Sequence, residues 1–281
     1  MPESELMEFL NYKAIRAKRK GLIFKKPSLE EAALKFNYLA RQLDDHKQYA
    51  GLCYLAITSC HGKSDQVGAL LNAARAFSKA SYEIISPEDH IQAAIWAYSE
   101  ALLICDRSFI KPIRLEMGRF YEERKMYQQA AECFKQSMSI SRCVYNLILS
   151  KRYKSALDEL KNCPSHLMST KDHTSMFLLE LLLSEDLGDT NRNSLTYLAT
   201  NSCASTTRGS LPTDDRMFDL NSLLESLLIF RDDKKSLKRH DFVSKSAKMR
   251  NTITNRLSAF LDQAQIQILY CIMAQANNCV Q

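Results

Sequence analysis

Residues 114–137, RLEMGRFYEERKMYQQAAECFKQS, decide the fold. Within them Gly118, Tyr121, Ala130, Phe134 and Ser137 stand at set intervals: small, aromatic three later, alanine nine after that, aromatic four on, small three on. Residues three or four apart share a face of an α-helix. Each half therefore reads as one helix with one packing face. Gly118 and Ala130 have almost no side chain, which lets the two helices of a hairpin approach closely. Tyr121 and Phe134 fill the space beside that crossing.

The second half of the pattern recurs along the chain. Ala73-Phe77-Ala80, Ala94-Tyr98-Ala101 and Ala156-Leu160-Cys163 repeat it, with intervals of 21, 36 and 26 residues between first alanines. Only the middle interval is near the ~34 residues of a regular tetratricopeptide array. The expectation is an all-α, tetratricopeptide-like solenoid of helical hairpins with degenerate repeats. A generic bundle using Ala-x-x-x-aromatic packing is the alternative. Solenoids present extended surfaces to other proteins.

Composition points the same way. Seven glycines and six prolines in 281 residues are too few for the turns of a β-sandwich or barrel. No G-x-G-x-x-G or G-x-x-x-x-G-K-[ST] is present, so a glycine-cradled nucleotide site is not expected. With 46% hydrophobic and 25% charged residues the chain is globular. Nine cysteines form no C-x-x-C and sit among apolar residues at helical spacing, as buried thiols in a reducing compartment would. There is no signal-like apolar segment, no N-x-[ST] and no apolar run of membrane-spanning length, so a cytoplasmic protein is expected.

Apolar periodicity predicts helices over 3–20, 28–43, 47–60, 66–82, 88–107, 112–124, 127–140, 142–150, 152–162 and 174–187, and weakly over 191–200. More follow over 217–231, 235–250 and 254–276. Ser28 and Glu31 read as a capping box, and Gly188 stands where a C-cap glycine would. Pro27, Pro87, Pro112 and Pro164 are read as helix boundaries. Residues 164–173 and 201–215 read as polar loops. The whole chain, 1–281, is read as one α-solenoid domain: 1–27 a basic helix and connector, 28–163 the best-matching repeats and 216–281 the C-terminal helices.

Charge is placed unevenly. Between Phe9 and Leu29 lie seven basic residues and no acid, among them Arg16, Lys18, Arg19, Lys20, Lys25 and Lys26. Between Arg231 and Arg250 lie eight basic residues, including Lys234, Lys235, Lys238 and Arg239, against three acids. Segments of +7 and +5 in a chain of net charge +6 leave the remainder at −6. These segments are read as solvated helix faces, as contacts for an acidic protein, or as contacts for anionic membrane. Ala17-Lys18-Arg19-Lys20 also fits a nuclear-localisation signal. Nucleic acid ranks last, because aromatic residues are not interleaved with the basic ones.

No motif for catalysis stands out. Cys163, His166 and His173 are the tightest set of metal-ligand types, but nothing nearby completes a fourth ligand, and a polar inter-helix loop explains them. No H-E-x-x-H, G-x-S-x-G or kinase motif occurs. Neither an enzyme nor a cofactor is expected. In the last helix Leu257, Phe260, Leu261, Ala264, Ile268, Cys271, Ile272 and Gln275 form one stripe, while Ile266, Leu269, Tyr270 and Met273 lie off it. That apolar face is wider than docking on one neighbour requires. Either the helix is buried in its own domain, or a second protein covers part of it through Leu269, Ile272 and Met273.

A family resemblance joins these features. Lys26-Pro27, Glu31-Ala32, Phe36, Leu39 and Leu43, then Tyr49-Ala50, Cys53, Leu55-Ala56 and Cys60, resemble the forty-kilodalton huntingtin-associated protein family, the factor VIII intron-encoded proteins. The likeness runs on through Ala73-Ala74-Arg75-Ala76-Phe77, Gln92-Ala93-Ala94 and Gln128-Gln129-Ala130-Ala131 with Phe134. It covers most of 20–163, and the rest loosely through Leu224–Leu228 and Leu261–Gln275. The vertebrate pattern has a long proline-rich loop that this chain lacks, as an invertebrate member would. The resemblance implies a solenoid similar to the soluble NSF attachment proteins. It further implies a stable heterodimer with huntingtin, a HEAT-repeat protein, and recruitment to early endosomes through a Rab GTPase, with membrane association indirect. The alternative is a trafficking adaptor of the attachment-protein type, binding SNARE helices and anionic lipid.

Overall fold

A computed structural model describes residues 3–17, 29–43, 45–60, 63–80, 87–183, 247–248, 251 and 261–278. The chain is all-α, built of successive helical hairpins. In order the helices are α1 (Glu3–Ala17), α2 (Leu29–Gln42), α3 (Lys47–Thr58), α4 (Lys63–Ser78), α5 (Pro87–Ile104) and α6 (Arg107–Glu123). Then come α7 (Tyr127–Gln136), α8 (Ile140–Leu149), α9 (Tyr153–Lys161), α10 (Thr170–Leu183) and α11 (Gln263–Asn278). Among the described residues no strand is present and no helix is long and apolar enough to cross a membrane.

The chain divides into two compact units, Met1–Glu123 and Arg124–Gln281. The division falls inside the stretch that carries the repeat. Gly118 and Tyr121 lie on α6 in the first unit, and Ala130 and Phe134 on α7 in the second; all four are buried.

In the first unit each helix from α1 to α6 packs on the next. Small residues set the spacing: Ala32, Ala73, Ala74, Ala94, Ala97 and Ala101 are fully buried, with Phe36 and Tyr98 as the large side chains between them. Phe9 and Tyr12 of α1 meet Phe36 edge-on, with ring centroids 5.5 and 5.8 Å apart. A close crossing that demands glycine is at Gly51 on α3, outside the repeat pattern. A Cβ there would stand 2.7 Å from the Phe77 ring of α4. One polar network ties three helices. Arg75 of α4 donates two hydrogen bonds to the Glu116 carboxylate of α6, at 2.7 and 2.8 Å, and the Tyr98 hydroxyl of α5 donates a third at 3.0 Å.

The second unit is built on a short period. α7 and α8 have ten residues each and α9 nine, joined by three-residue turns. The middle residue of each turn, and of the turn that leads into α7, is a non-glycine in the left-handed region: Lys125 (φ 59°), Met138 (63°) and Lys151 (62°), thirteen residues apart. After α7, Ser139 N–H bonds Phe134 O at 2.9 Å and Met138 N–H bonds Lys135 O at 3.0 Å. After α8, Arg152 N–H bonds Leu147 O and Lys151 N–H bonds Ile148 O, both at 2.9 Å. These are Schellman closures. Two periods of thirteen explain the 26-residue interval from Ala130 to Ala156.

Several boundaries differ from the sequence reading. Pro112 lies inside α6, not at its start. It stands one turn in and is exposed, so the carbonyl it deprives of a partner is near the solvated end of the helix. Pro87 opens α5 as its first residue, where its missing N–H costs nothing. The expected loop 164–173 holds a short 3-10 turn at Ser165–Leu167, and α10 begins at Thr170. The sequence signal for that start was present: Ser169 caps the N–H of Asp172 at 3.3 Å, and Asp172 accepts from Ser169 N–H at 2.9 Å. The expected helix over 254–276 is not helical at Leu261 and Asp262, where a second capping box opens α11. Ser28, Gly188 and the helices expected at 191–200 and 217–231 lie outside the described residues.

Candidate interaction surface

Each unit carries a groove between alternate helices, floored by the helix between them. In the first unit α2 and α4 form the walls and α3 the floor of a groove of about 430 Å³. Glu30, Leu34 and Asn37 line it from α2, Tyr54 and Ile57 from α3, and Asp65, Gly68 and Asn72 from α4. In the second unit α7 and α9 flank a groove of about 530 Å³ over α8. Here the walls are tied together by their own charges: Lys135 of α7 donates to Glu159 of α9 at 2.5 Å. That hydrogen bond and the charge of Glu159 hold the Lys135 ammonium above its usual pKa.

Exposed large apolar side chains are scattered over both units. Leu34 and Tyr38, one turn apart on α2, are 70% and 61% exposed, and Trp96 and Leu103, two turns apart on α5, are 50% and 77% exposed. Both pairs lie off the packing stripes of their helices. A cue existed for Leu34, an apolar residue out of register with the Ala32–Phe36–Leu39–Leu43 stripe. For Gly68, Asn37 and Asn72 no local signal exists, because a groove wall is made by the pairing of two helices.

The C-terminal helix does not offer the surface its composition suggested. Leu269, Ile272 and Met273 are buried within the second unit, where α11 packs on both α8 and α10. Burial between two neighbours uses the wide apolar face that a single neighbour would have left open. A chain of side-chain hydrogen bonds fixes the register of this docking. Gln265 and Asp262 cap one another's backbone N–H at 2.9 and 3.1 Å. The buried Gln265 amide also donates to Lys171 O and to the Ser175 hydroxyl of α10, both at 3.1 Å. One turn of α11 has Gln267 donating to Ile148 O of α8 at 3.0 Å and to the Tyr153 hydroxyl of α9 at 3.1 Å. The Tyr153 hydroxyl in turn lies 3.2 Å from Cys271 Sγ. Leu269, Ile272 and Met273 are therefore core residues of this unit.

The other partner-binding candidates lie elsewhere. Lys18, Arg19, Lys20, Lys25, Lys26, Lys234, Lys235, Lys238 and Arg239 are outside the described residues, and Arg16 is placed only as backbone at the end of α1. Ala94 and Tyr98, chosen for repeat packing, are buried on α5.

Burial pushes the Cys53 and Cys143 thiols up to about 12, far from the thiolate a nucleophile needs. Cys163 is buried while His166 is exposed and His173 half-buried. Among the described residues no three His, Cys, Asp or Glu side chains are grouped to hold a metal. Asp172 is buried, but the Ser141 hydroxyl at 2.8 Å and the Ser169 hydroxyl at 2.7 Å satisfy it within the α10 cap.

No family model matches the sequence, and no curated protein matches it.

Proposed function

We propose that this chain is a non-catalytic scaffold subunit that binds and stabilises huntingtin, and that it links the pair to early endosomes through a Rab GTPase. The observation that carries this reading is the run of family-like residues from Lys26 to Cys60, extended through Ala73–Phe77 and Gln128–Phe134. An all-α chain of helical hairpins is the architecture that the resemblance implies. Exposed Leu34, Tyr38, Trp96 and Leu103 supply apolar contact area on the first unit. The basic segments supply charge for an acidic partner surface. With Leu269, Ile272 and Met273 inside the core, these three side chains contribute to the partnership by holding their own unit together.

Co-expression with and without huntingtin tests the reading. The chain is expected to be recovered in higher soluble yield, and to unfold at higher temperature, with its partner present. Equal yield and equal Tm in both cases refute it.

A second reading rests on the basic run from Lys13 to Lys26, of which the exposed Lys13 lies on α1. On this reading the chain is an attachment-protein type of adaptor that reads SNARE helices and anionic lipid. Co-sedimentation with phosphatidylserine vesicles over a salt series separates the two, because lipid binding through such a segment weakens steeply with salt.

A further inference from the structure

The groove of the first unit differs from that of the second in what its walls carry. Across the second groove an ion pair between Lys135 and Glu159 joins wall to wall. The first has carboxylates on both walls, Glu30 on α2 and Asp65 on α4, and among the described residues no basic side chain lines it. Neither carboxylate makes an ion pair or hydrogen bond among the described residues, whereas the adjacent Glu31 is engaged by Lys35 at 2.7 Å. Asn37 and Asn72 add a carboxamide to each wall; the Asn72 oxygen accepts from Arg75 at 3.4 Å, which leaves its NH2 to donate. The floor is apolar, and Leu34 stands at the rim 70% exposed. Gly68 leaves one wall open: a Cβ built on it meets nothing within 4 Å.

Carboxylates on opposite walls repel a negative occupant and attract a positive one. A peptide with Lys or Arg on either side of an apolar side chain meets every feature at once. Its cations reach Glu30 and Asp65, its backbone amides meet the two asparagines, and its apolar side chain covers Leu34 and the floor. We propose that the α2–α3–α4 groove is a docking site for a short basic segment, with a central apolar side chain, of another protein. The site is independent of what binds elsewhere on the chain, and so does not rest on the huntingtin reading.

The test uses the full chain and a fluorescein-labelled peptide with Lys and Arg flanking a Leu-Phe pair, beside its counterpart with Glu in place of every Lys and Arg. Fluorescence anisotropy is expected to show saturable binding of the basic peptide, weakened several-fold by raising salt from about 50 to about 200 mM, which roughly halves the Debye length, and none of the acidic one. Glu30→Gln with Asp65→Asn is expected to weaken binding by about tenfold. Gly68→Leu fills the open wall and is expected to abolish binding, while its far-UV circular dichroism stays as in the parent. Leu34→Ala is expected to cost several-fold. Equal binding of the two peptides, or unchanged binding in Gly68→Leu, overturns the proposal. So does binding that emerges only when Lys18, Arg19, Lys20, Lys25 and Lys26 are all replaced by alanine, since the chain's own basic segment is then the occupant. Concentration-dependent self-association that Gly68→Leu removes overturns it in favour of a second copy. Huntingtin co-purification is scored in parallel, so that loss of one activity with the other intact identifies which reading fails.

Discussion

Gly51→Ala and Gly68→Ala are the same substitution on adjacent helices, and the structure predicts opposite signs for them. Both glycines lie inside helices, α3 and α4, where alanine is favoured by about 1 kcal/mol. At Gly68 nothing lies within 4 Å of the added Cβ, so that gain is realised in full. At Gly51 the Cβ meets three carbons of the Phe77 ring at 2.7, 2.8 and 2.9 Å. Carbon atoms in contact sit roughly 3.5–4.0 Å apart, so ring or helix has to move by most of an ångström. Phe77 is buried and stacks on His90 with ring centroids 6.5 Å apart, which leaves it little room to retreat. Overpacking of this kind costs about 1–3 kcal/mol. The net expectation for Gly51→Ala is a loss of up to about 2 kcal/mol, against a gain of about 1 kcal/mol for Gly68→Ala. Because the helix-propensity contribution is common to both, the gap between the variants isolates the steric cost. The single tryptophan, Trp96, lies in the first unit and is half exposed, so urea unfolding followed by its fluorescence reads that unit. The Gly51→Ala midpoint is expected to fall and to recover partly in Gly51→Ala with Phe77→Leu. If both alanine variants raise the midpoint equally, the α3–α4 crossing is not close enough for a Cβ at residue 51 to meet the Phe77 ring at 2.7 Å.

Other expectations follow from the same contacts. Met138 and Lys151 hold left-handed backbone without being glycine, and Met138 is 70% exposed, so Met138→Gly relieves strain at a small cost in side-chain contact. A gain of about 0.5–1 kcal/mol is expected in thermal unfolding; a loss shows that the side chain is doing more than filling the turn. Leu269→Ala empties a fully buried site and is expected to destabilise the free chain by about 2–5 kcal/mol. A variant that leaves the Tm of the free chain unchanged while weakening a partner would restore Leu269 as a contact residue. Burial raises the pKa of Glu116, but the Arg75 hydrogen bonds and charge and the Tyr98 hydroxyl outweigh it and hold the carboxyl below its ordinary 4.5. Its stabilisation is therefore present above that value and is lost as pH falls through the lowered pKa. Arg75 is half exposed and water screens the pair, so the term is expected to be about 1 kcal/mol. Stability measured from pH 6 down to about 3 should drop less steeply in Glu116→Gln than in the parent; parallel curves refute the assignment.

Much of the helical architecture was legible because it depends on local spacing. The Ala32–Phe36–Leu39–Leu43 stripe and the Ala-x-x-x-large triplets name faces that the structure buries. Turn positions were harder to read. Lys125, Met138 and Lys151 close their helices in the conformation usually given to glycine, and a chain with seven glycines gives no warning of it. Pro112 misled in the other direction, since one turn inside an exposed helix end it breaks nothing that solvent cannot replace.

By itself, then, the sequence determined that the chain is helical, that its helices pair through small residues, and where its charge is concentrated. These properties follow from intervals of three and four residues and from composition, which are local quantities. Tertiary structure decided which apolar faces stay open. Leu269, Ile272 and Met273 look surplus on one helix and become core because two neighbours, α8 and α10, share the same helix. Leu34, out of register with the stripe of its helix, ends at the rim of a groove, beside Glu30 and across from Asp65. Register hints at the exposure of Leu34, but nothing local forecasts the burial of the other three, since burial depends on how many elements reach a side chain, and only the folded chain counts them.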